Sequence, residues 1–452
     1  MDRKLKVMVV GGGGRGHAVS EKHEESEHVG SIIVAGGDDF TSYERKKEVI
    51  SIPCGMRDHV AICNIAEAYR PDFIEFTQDD AVAGGAGDML REQGFLVLCP
   101  SRKASRFEWD KAWARRFMAR HHIPAPDFSV FTAQRRAERY LHGLYADEPD
   151  AVVFVKAAGL AAGKGSLKAA SSKQTMQRIR QVRALGPAGK VFLIERALFG
   201  REFSGTIIAD GTGEYRVFAY STDHKRALPF DEGEQTGGTG ATSPVPMIAS
   251  AIATQIDAYL FGNAMDGFSD EGIPYAGALC FNGILVKDDE SPTGYMPHCI
   301  EGNARHDDPE SQVVLPGVQN DYTEMVIAAA IGKLCDITLQ HDGLYRVGVV
   351  GVSRGYPGDY HAVIGKRVFG LEEVRKKFRG RVRIYGGGLA RQDKHWYANG
   401  GRLFTVVAED KDPWRAFETV YAAMARLYIE GNNLFWRHDI GWQDKEFLLA
   451  RG

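Results

Sequence analysis

Cysteine is scarce. There are six in 452 residues, at positions 54, 63, 99, 280, 299 and 335, and none forms a CxxC pair. This argues against a zinc ribbon or a thioredoxin-type redox motif, and scattered single thiols fit a reducing compartment. Long apolar runs are missing too. A bilayer-spanning helix needs about 18 apolar residues in a row, and the best stretch, 325–339, is interrupted by Lys333 and Asp336. The apolar segment 7–10 is too short for a signal peptide and runs into glycines. An excess of one charge is also lacking: 56 Lys plus Arg against 59 Asp plus Glu leaves −3. That is no basis for nucleic-acid binding. The chain is therefore expected to be a cytoplasmic enzyme, monomeric or homodimeric, that works on small molecules and has no nucleic-acid or membrane partner.

What is abundant is glycine, with 52 residues, about 11–12% against a usual value near 7%. In a chain of ordinary apolar and charged content, such an excess points to backbone brought close to ligands. The length suggests about three domains. Residues 5–10 read as a buried parallel strand, followed by a glycine run and a helix. Further strands are expected at 31–35, 73–76 and 95–98, with a helix over 81–93. This alternation predicts a doubly wound α/β unit over about the first 105 residues. Helices are predicted at 110–121, 248–261, 322–340 and 413–430. Strands are predicted at 152–156, 191–195, 345–352, 382–385 and 403–407.

Gly11, Gly13 and Gly16 match G-x-G-x-x-G between a strand and a helix, and Asp38 ends the next strand. Alone, this is a dinucleotide fingerprint and would make the protein an NAD(P)-dependent oxidoreductase. A tight turn without ligand, or a phosphate of another substrate at the helix N-terminus, suits the same residues.

Five separated features point instead to a nucleoside triphosphate held between two sheets. Lys111 lies on a helix before Pro124. Lys156 ends a strand and precedes the glycine-rich segment 157–165, which carries Gly163, Lys164 and Gly165. That segment lacks P-loop spacing but can close backbone N–H groups over phosphates. Glu195 begins a linker of the kind that meets an adenine edge, and Glu202, seven residues later, can take ribose hydroxyls. Glu301 and Asn303 alternate along a strand as hard oxygen ligands for a cation. The cluster 305–310 adds both charges. Any one of these residues taken singly has an ordinary surface or turn reading.

Taken in order, the set resembles the ATP-grasp superfamily, and within it the phosphoribosylamine–glycine ligase (glycinamide ribonucleotide synthetase) family. The resemblance covers almost the whole chain. Its most specific stretches are 10–18, 156–165, 223–226, 236–244, 301–310, 355–358, 399–402 and 437–441. It implies an α/β ATP-grasp fold with an N-terminal doubly wound domain (1–108), an ATP-grasp domain (109–343, lid subdomain about 124–196) and a mixed α/β C-terminal domain (344–452). It also implies roles. Lys111, Lys156, Gly163, Lys164 and Gly165 would hold ATP phosphates. Glu195, with the backbone of Ala197 and Leu198, would meet adenine, and Glu202 the ribose. Glu301 and Asn303 would bind Mg²⁺, with Mn²⁺ an alternative. Asp223, His224, Lys225 and Arg305 would act in catalysis, His224 by helping to deprotonate the amine. Gly13, Gly14, Arg15, His17, Asp38, Asp79, Gly237, Gly238, Ser243, Arg305, Asp308 and Glu310 would contact the amine and carboxylate substrates.

The chain departs from the family's pattern at Gly16, 36–38 and 77–79, all in the unit that should hold phosphoribosylamine, and at Ala158, Thr239 and Thr242. Two ligase readings follow: the purine-pathway enzyme with a divergent amine site, or a specialised relative that joins another acid or amine. A binding protein that keeps the fold without catalysis is a third reading.

Overall fold

The first unit is a five-stranded sheet of parallel strands. In the computed structural model, which describes residues 3–161 and 165–450, its spatial order is Glu48–Ile52, Val29–Ala35, Leu5–Val10, Phe73–Phe76, Val97–Leu98. The order reverses beside Leu5–Val10, so the crevice of the sheet lies where the chain enters the helix Gly13–Glu25. The strand Glu48–Ile52 was not expected. It is a half-exposed edge strand of mixed polarity and carries no clear hydrophobic period. The helix expected at 81–93 is two, Asp79–Ala83 and Ala86–Glu92, parted at Gly84 and Gly85.

The middle of the chain builds two antiparallel sheets. One runs Tyr215–Val217, Arg201–Asp210, Ala276–Lys287, Tyr295–Asn303. Its long strands are buried on both faces, so the period-2 signal that would mark them in sequence is absent. The smaller sheet runs Phe128–Phe131, Phe192–Arg196, Val153–Ala157, Ser166–Ala169. The helices Gln134–Asp147 and Ser172–Arg183 pack on it through Leu141, Ile179 and Val182. The helix Lys111–Arg120 is capped by Asp110, which accepts from the Trp113 N–H, and its first N–H donates to Ala158 O at 2.9 Å. This bond ties the helix carrying Lys111 to the end of the strand carrying Lys156.

The last sheet runs Thr222–Asp223, Gly240–Ser243, Tyr345–Ser353, Arg402–Asp410, Val382–Gly386. Its first two strands come from the segment that the sequence reading placed in the middle domain. The hairpin 222–243 therefore crosses into the C-terminal unit and brings Asp223 with it. The helix Pro413–Met424 covers the sheet through Phe417, Val420 and Met424. The helix predicted at 322–340 stops at Ala330, because Gly332 turns the backbone at φ +70°. No helix among the described residues is long and apolar enough to cross a membrane.

Candidate functional site

Where the smaller middle sheet faces the larger one, the structure brings Lys156 and Glu301 to a single narrow cleft with Lys111, Arg115 and Glu195. Lys111 Nζ sits 2.6 Å from Glu301 Oε1, and Lys156 Nζ sits 2.7 Å from Glu195 Oε2. Arg115 grips Glu195 with two bonds of 2.8 and 3.0 Å and donates to Cys299 O at 3.0 Å. Burial alone would raise the Glu195 pKa, but Arg115 and Lys156 outweigh it and hold it at about 2. Burial opposes ionisation of Glu301 as well, and Lys111 and Lys156 bring its pKa far below the usual carboxylate range. Arg115 was missed in the sequence. Its position, four residues after Lys111 on one helix face, was the available signal.

The cleft adjoins a larger cavity of about 460 Å³, a size common for small-molecule sites. Every part of the fold contributes to its wall: Arg15, Gln78, Asp79 and Glu108 from the first unit, Lys111, Ala157 and Gly165 from the middle, and Tyr356 and Arg402 from the last. Asp223, Lys225, Gly237, Asn282, Glu301, Asn303, Arg305, Asp308 and Glu310 line it too. Arg305 is held by Glu108 (Nε–Oε1 3.2 Å) and by a close pair with Asp307. Arg402 donates to Gly237 O, and to Asp308 O at 3.0 Å. The Gly237 N–H donates to the Tyr356 hydroxyl at 3.0 Å. Arg402 and Tyr356 lie in the recognised stretches 399–402 and 355–358, but only the tertiary structure places them at the cavity.

Further oxygen donors stand across the sheet from Glu301 and Asn303, where cation ligands were expected. Ser204 pairs in register with Asn282, and Asn282 with Glu301, so the three lie in one row. Ser204 Oγ donates to Asn282 Oδ1 at 2.8 Å and to Glu310 Oε1 at 3.1 Å. Asn303 Nδ2 donates to Asp307 at 3.2 Å, which leaves its Oδ1 for a cation. Carboxylate and amide oxygens are the hard donors that a small divalent ion takes, so these residues fit one.

The Asp223 carboxylate is buried, and its Oδ1 has no hydrogen-bond partner. Its Oδ2 stands 4.0 Å from Lys225 Nζ. Burial and the nearby Glu310 raise its pKa well above the usual range despite Lys225 and Arg402. Asp223 ends a strand and Lys225 lies in the turn after it; both line the cavity, and His224 between them does not. His224 is buried, and its Nε2 accepts the Gly441 N–H at 2.8 Å, so it is a packing histidine rather than a group near the amine.

Other expected residues also lie elsewhere. Asp38 accepts from the Thr41 N–H and hydroxyl and from the Leu389 N–H, so its carboxylate braces the C-terminal unit instead of facing a substrate. His17 is buried, and its Nδ1 accepts the Gly386 N–H at 3.0 Å. Ser243 is buried and donates to Tyr220 O. Gly16 packs so tightly that an added Cβ would lie 2.0 Å from Gly11 O, which gives the glycine run a packing role. With Asp38 committed elsewhere, the dinucleotide reading loses its ribose acid. Gly13 and Gly14 line a separate pocket of about 50 Å³ with Asp308, Gly387 and Arg402. Gly238 is buried against Pro309 and Asp223. The Glu195 side chain points to Arg115 and Lys156, and the Ala197 N–H already donates to Val152 O. Leu198 is half-buried, and Glu202 is exposed at the start of its strand. Gly163 and Lys164 lie outside the described residues.

Two buried carboxylates set an acid limit. Glu75, like Glu195, is held at about 2: burial raises it, and hydrogen bonds and charge from His23 and His306 lower it further. Each folded pKa lies below the ordinary 4.5, so each carboxylate stabilises the fold above that value and loses this contribution as pH falls through the folded value. Urea midpoints are expected to fall between about pH 4.5 and 2, and the replacements Glu75→Gln and Glu195→Gln should flatten that dependence.

The fold and the site define an ATP-grasp enzyme. Similar solved structures include phosphoribosylamine–glycine ligase from Thermotoga maritima, with TM-score 0.77 and 24% identity, covering 96% of this chain and 100% of that one. Another is biotin carboxylase from Campylobacter jejuni, with TM-score 0.69 and 16% identity, covering 99% of this chain and 95% of that one. The chain belongs to the phosphoribosylglycinamide synthetase family: it matches the family's N domain over 5–108, its ATP-grasp (A) domain over 109–311 and its C domain over 346–443. It is 33% identical to phosphoribosylamine–glycine ligase from Escherichia coli over 444 residues, 97% of this chain and 98% of the relative. It is 32% identical to the trifunctional purine biosynthetic protein adenosine-3 of Bos taurus, of which it spans 42%. Members of this family are ATP-dependent C–N ligases, and ATP-grasp ligases use ATP with a divalent metal.

Proposed function

We propose that the protein joins glycine to 5-phosphoribosylamine, forming glycinamide ribonucleotide while ATP becomes ADP and phosphate. One observation carries the reading. Lys111, Lys225, Arg305 and Arg402 converge with the oxygen donors Glu301, Asn303 and Glu310 on one cavity, and no cysteine or histidine lines it among the described residues. Such a wall positions reactants and neutralises charge rather than forming a covalent enzyme intermediate.

In this reading a glycine carboxylate oxygen attacks the γ-phosphorus and ADP departs, leaving an acyl phosphate. The amine nitrogen then attacks the acyl carbon, phosphate departs, and the nitrogen gives up a proton. Lys111 and Lys156 hold the phosphates of ATP once its charge draws them from Glu301 and Glu195. Arg305, clamped by Glu108 and Asp307, orients the glycine carboxylate. Asp223, kept short of partners beside Lys225, receives the amino group of a substrate. Glu301 and Asn303, with Glu310 and Asn282, would hold Mg²⁺, which would neutralise phosphate charge. The cytoplasm is the expected compartment.

Phosphate release with ATP, glycine and phosphoribosylamine tests the assignment. Turnover that needs all three supports it. A folded protein that releases phosphate only with another amino acid or another amine overturns it in favour of a specialised ligase.

A further inference from the structure

A carboxylate sits where an apolar residue would be expected. Glu75 lies in the strand Phe73–Phe76, whose four residues are all buried in a parallel sheet, and it is 1% exposed. A charge there costs several kcal/mol unless compensated. Three donors meet it: His23 Nε2 at 2.9 Å on Oε2, and Tyr322 Oη at 2.7 Å and His306 Nε2 at 3.3 Å on Oε1. An ionised carboxylate only accepts, so Glu75 sets the His23 ring to donate through Nε2, and Thr323 Oγ1 lies 3.0 Å from its Nδ1. The Tyr322 hydroxyl also lies 3.2 Å from His306 Nε2. The network joins the first unit (Glu75, His23) to the segment that follows the cation-binding strand (His306) and to the helix Tyr322–Ala330.

The backbone of His306 meets two arginines that line the cavity. Its carbonyl accepts from Arg15 Nη1 at 2.9 Å and from Arg305 Nη1 at 3.2 Å. Two guanidinium groups thus meet on one oxygen, one from each side of the site. Like charges so placed repel, and Asp79 and Asp308 offset this only in part. The oxygen is a shared acceptor that fixes how closely the two arginines approach, in addition to the hold of Glu108 and Asp307 on Arg305. What keeps it there is the His306 ring, anchored below by Glu75 and Tyr322.

We infer that Glu75 is a positioning residue for the ligase site, acting through the His306 ring and carbonyl to set Arg15 and Arg305 at the separation that receives the anionic groups of the two substrates. The inference rests on the proposed reaction for its kinetic readout but not for its geometric one.

The test uses the full-length protein with Glu75→Gln, His306→Phe and the double variant. Val420→Ala, a core truncation in the C-terminal unit, serves as a stability control. A misplaced pair of arginines should lower kcat/KM for the amine and for the amino acid by about 10- to 100-fold in each single variant. The KM for ATP should change little, because Lys111 and Lys156 are untouched. The double variant should lose no more than the worse single one, since both act through one device. Val420→Ala should lower Tm without moving these ratios. Folded Glu75→Gln and His306→Phe proteins with wild-type constants, or losses that multiply in the double variant, overturn the inference. Should His306→Phe fail to fold, Glu75→Gln alone decides. A second readout needs no turnover: the NMR signals of the Arg15 and Arg305 Nε–H groups should shift in Glu75→Gln, and unmoved signals overturn the inference. Failure of the wild type to use glycine and phosphoribosylamine would remove the proposed reaction and leave this measurement intact.

Discussion

Lys156→Ala is expected to lower kcat/KM for ATP by about 10²- to 10³-fold, the usual cost of removing one preorganised charge from a site where anionic charge is handled. Lys156 is 6% exposed, one residue from the end of the strand Val153–Ala157, with its ammonium 2.7 Å from Glu195 and 3.3 Å from Ile300 O. It is held in position before any substrate arrives, and it faces a cleft that also contains Glu301. Removing it leaves Glu195 still gripped by Arg115, so the fold should persist. Lys156→Arg keeps the charge but changes its reach and should recover part of the rate. A coupled ADP-release assay over a range of ATP and metal concentrations measures both variants. An alanine variant within threefold of wild type would remove Lys156 from the phosphate site.

Arg115→Met should produce the largest loss of stability, about 3–5 kcal/mol, because breaking one side of a buried ion pair strands its partners. Arg115 serves Glu195 twice and also satisfies Cys299 O and Ile300 O, the backbone just before Glu301. Its loss would loosen three elements together: the helix Lys111–Arg120, the strand Phe192–Arg196 and the strand Tyr295–Asn303. The chain has several units, so a single global Tm describes the effect poorly. Hydrogen exchange resolved along the sequence is the better measure. Protection should fall across those three elements while the C-terminal sheet keeps its own. Unchanged protection there would mean that Lys156 alone balances Glu195.

Much of the site could be read in the linear chain because its parts are local. Glu301 and Asn303 lie two apart on one strand, Lys156 ends a strand before a glycine run, and Arg305 and Asp308 follow in the next few residues. Strand alternation and loop composition are enough to propose them. The residues that moved out of the expected site are those whose partners are far away in sequence. His224 finds Gly441, Asp38 finds Leu389, and His17 finds Gly386. A histidine or aspartate beside a recognised motif looks the same whether it faces a ligand or a backbone amide some 200 to 370 residues away. Arg402 shows the converse: it closes the family-like stretch 399–402, but no local period or spacing marks it as a cavity residue, and its partners are Gly237 and Asp308.

From its residues alone, the chain determined that it would fold as an α/β protein, that glycine would place backbone close to backbone or ligand, and that lysines and oxygen donors would recur in the order a triphosphate site needs. These follow from period, spacing and charge, which are properties of neighbours. Only the tertiary structure decided which charges meet. It carried the hairpin bearing Asp223 into the last sheet, set Arg115 beneath Lys156, and joined Glu75 to His306 across 231 positions. The reason is energetic. A buried charge is tolerated only beside its partner, and the partner is chosen by how sheets and helices pack, not by where it stands along the chain.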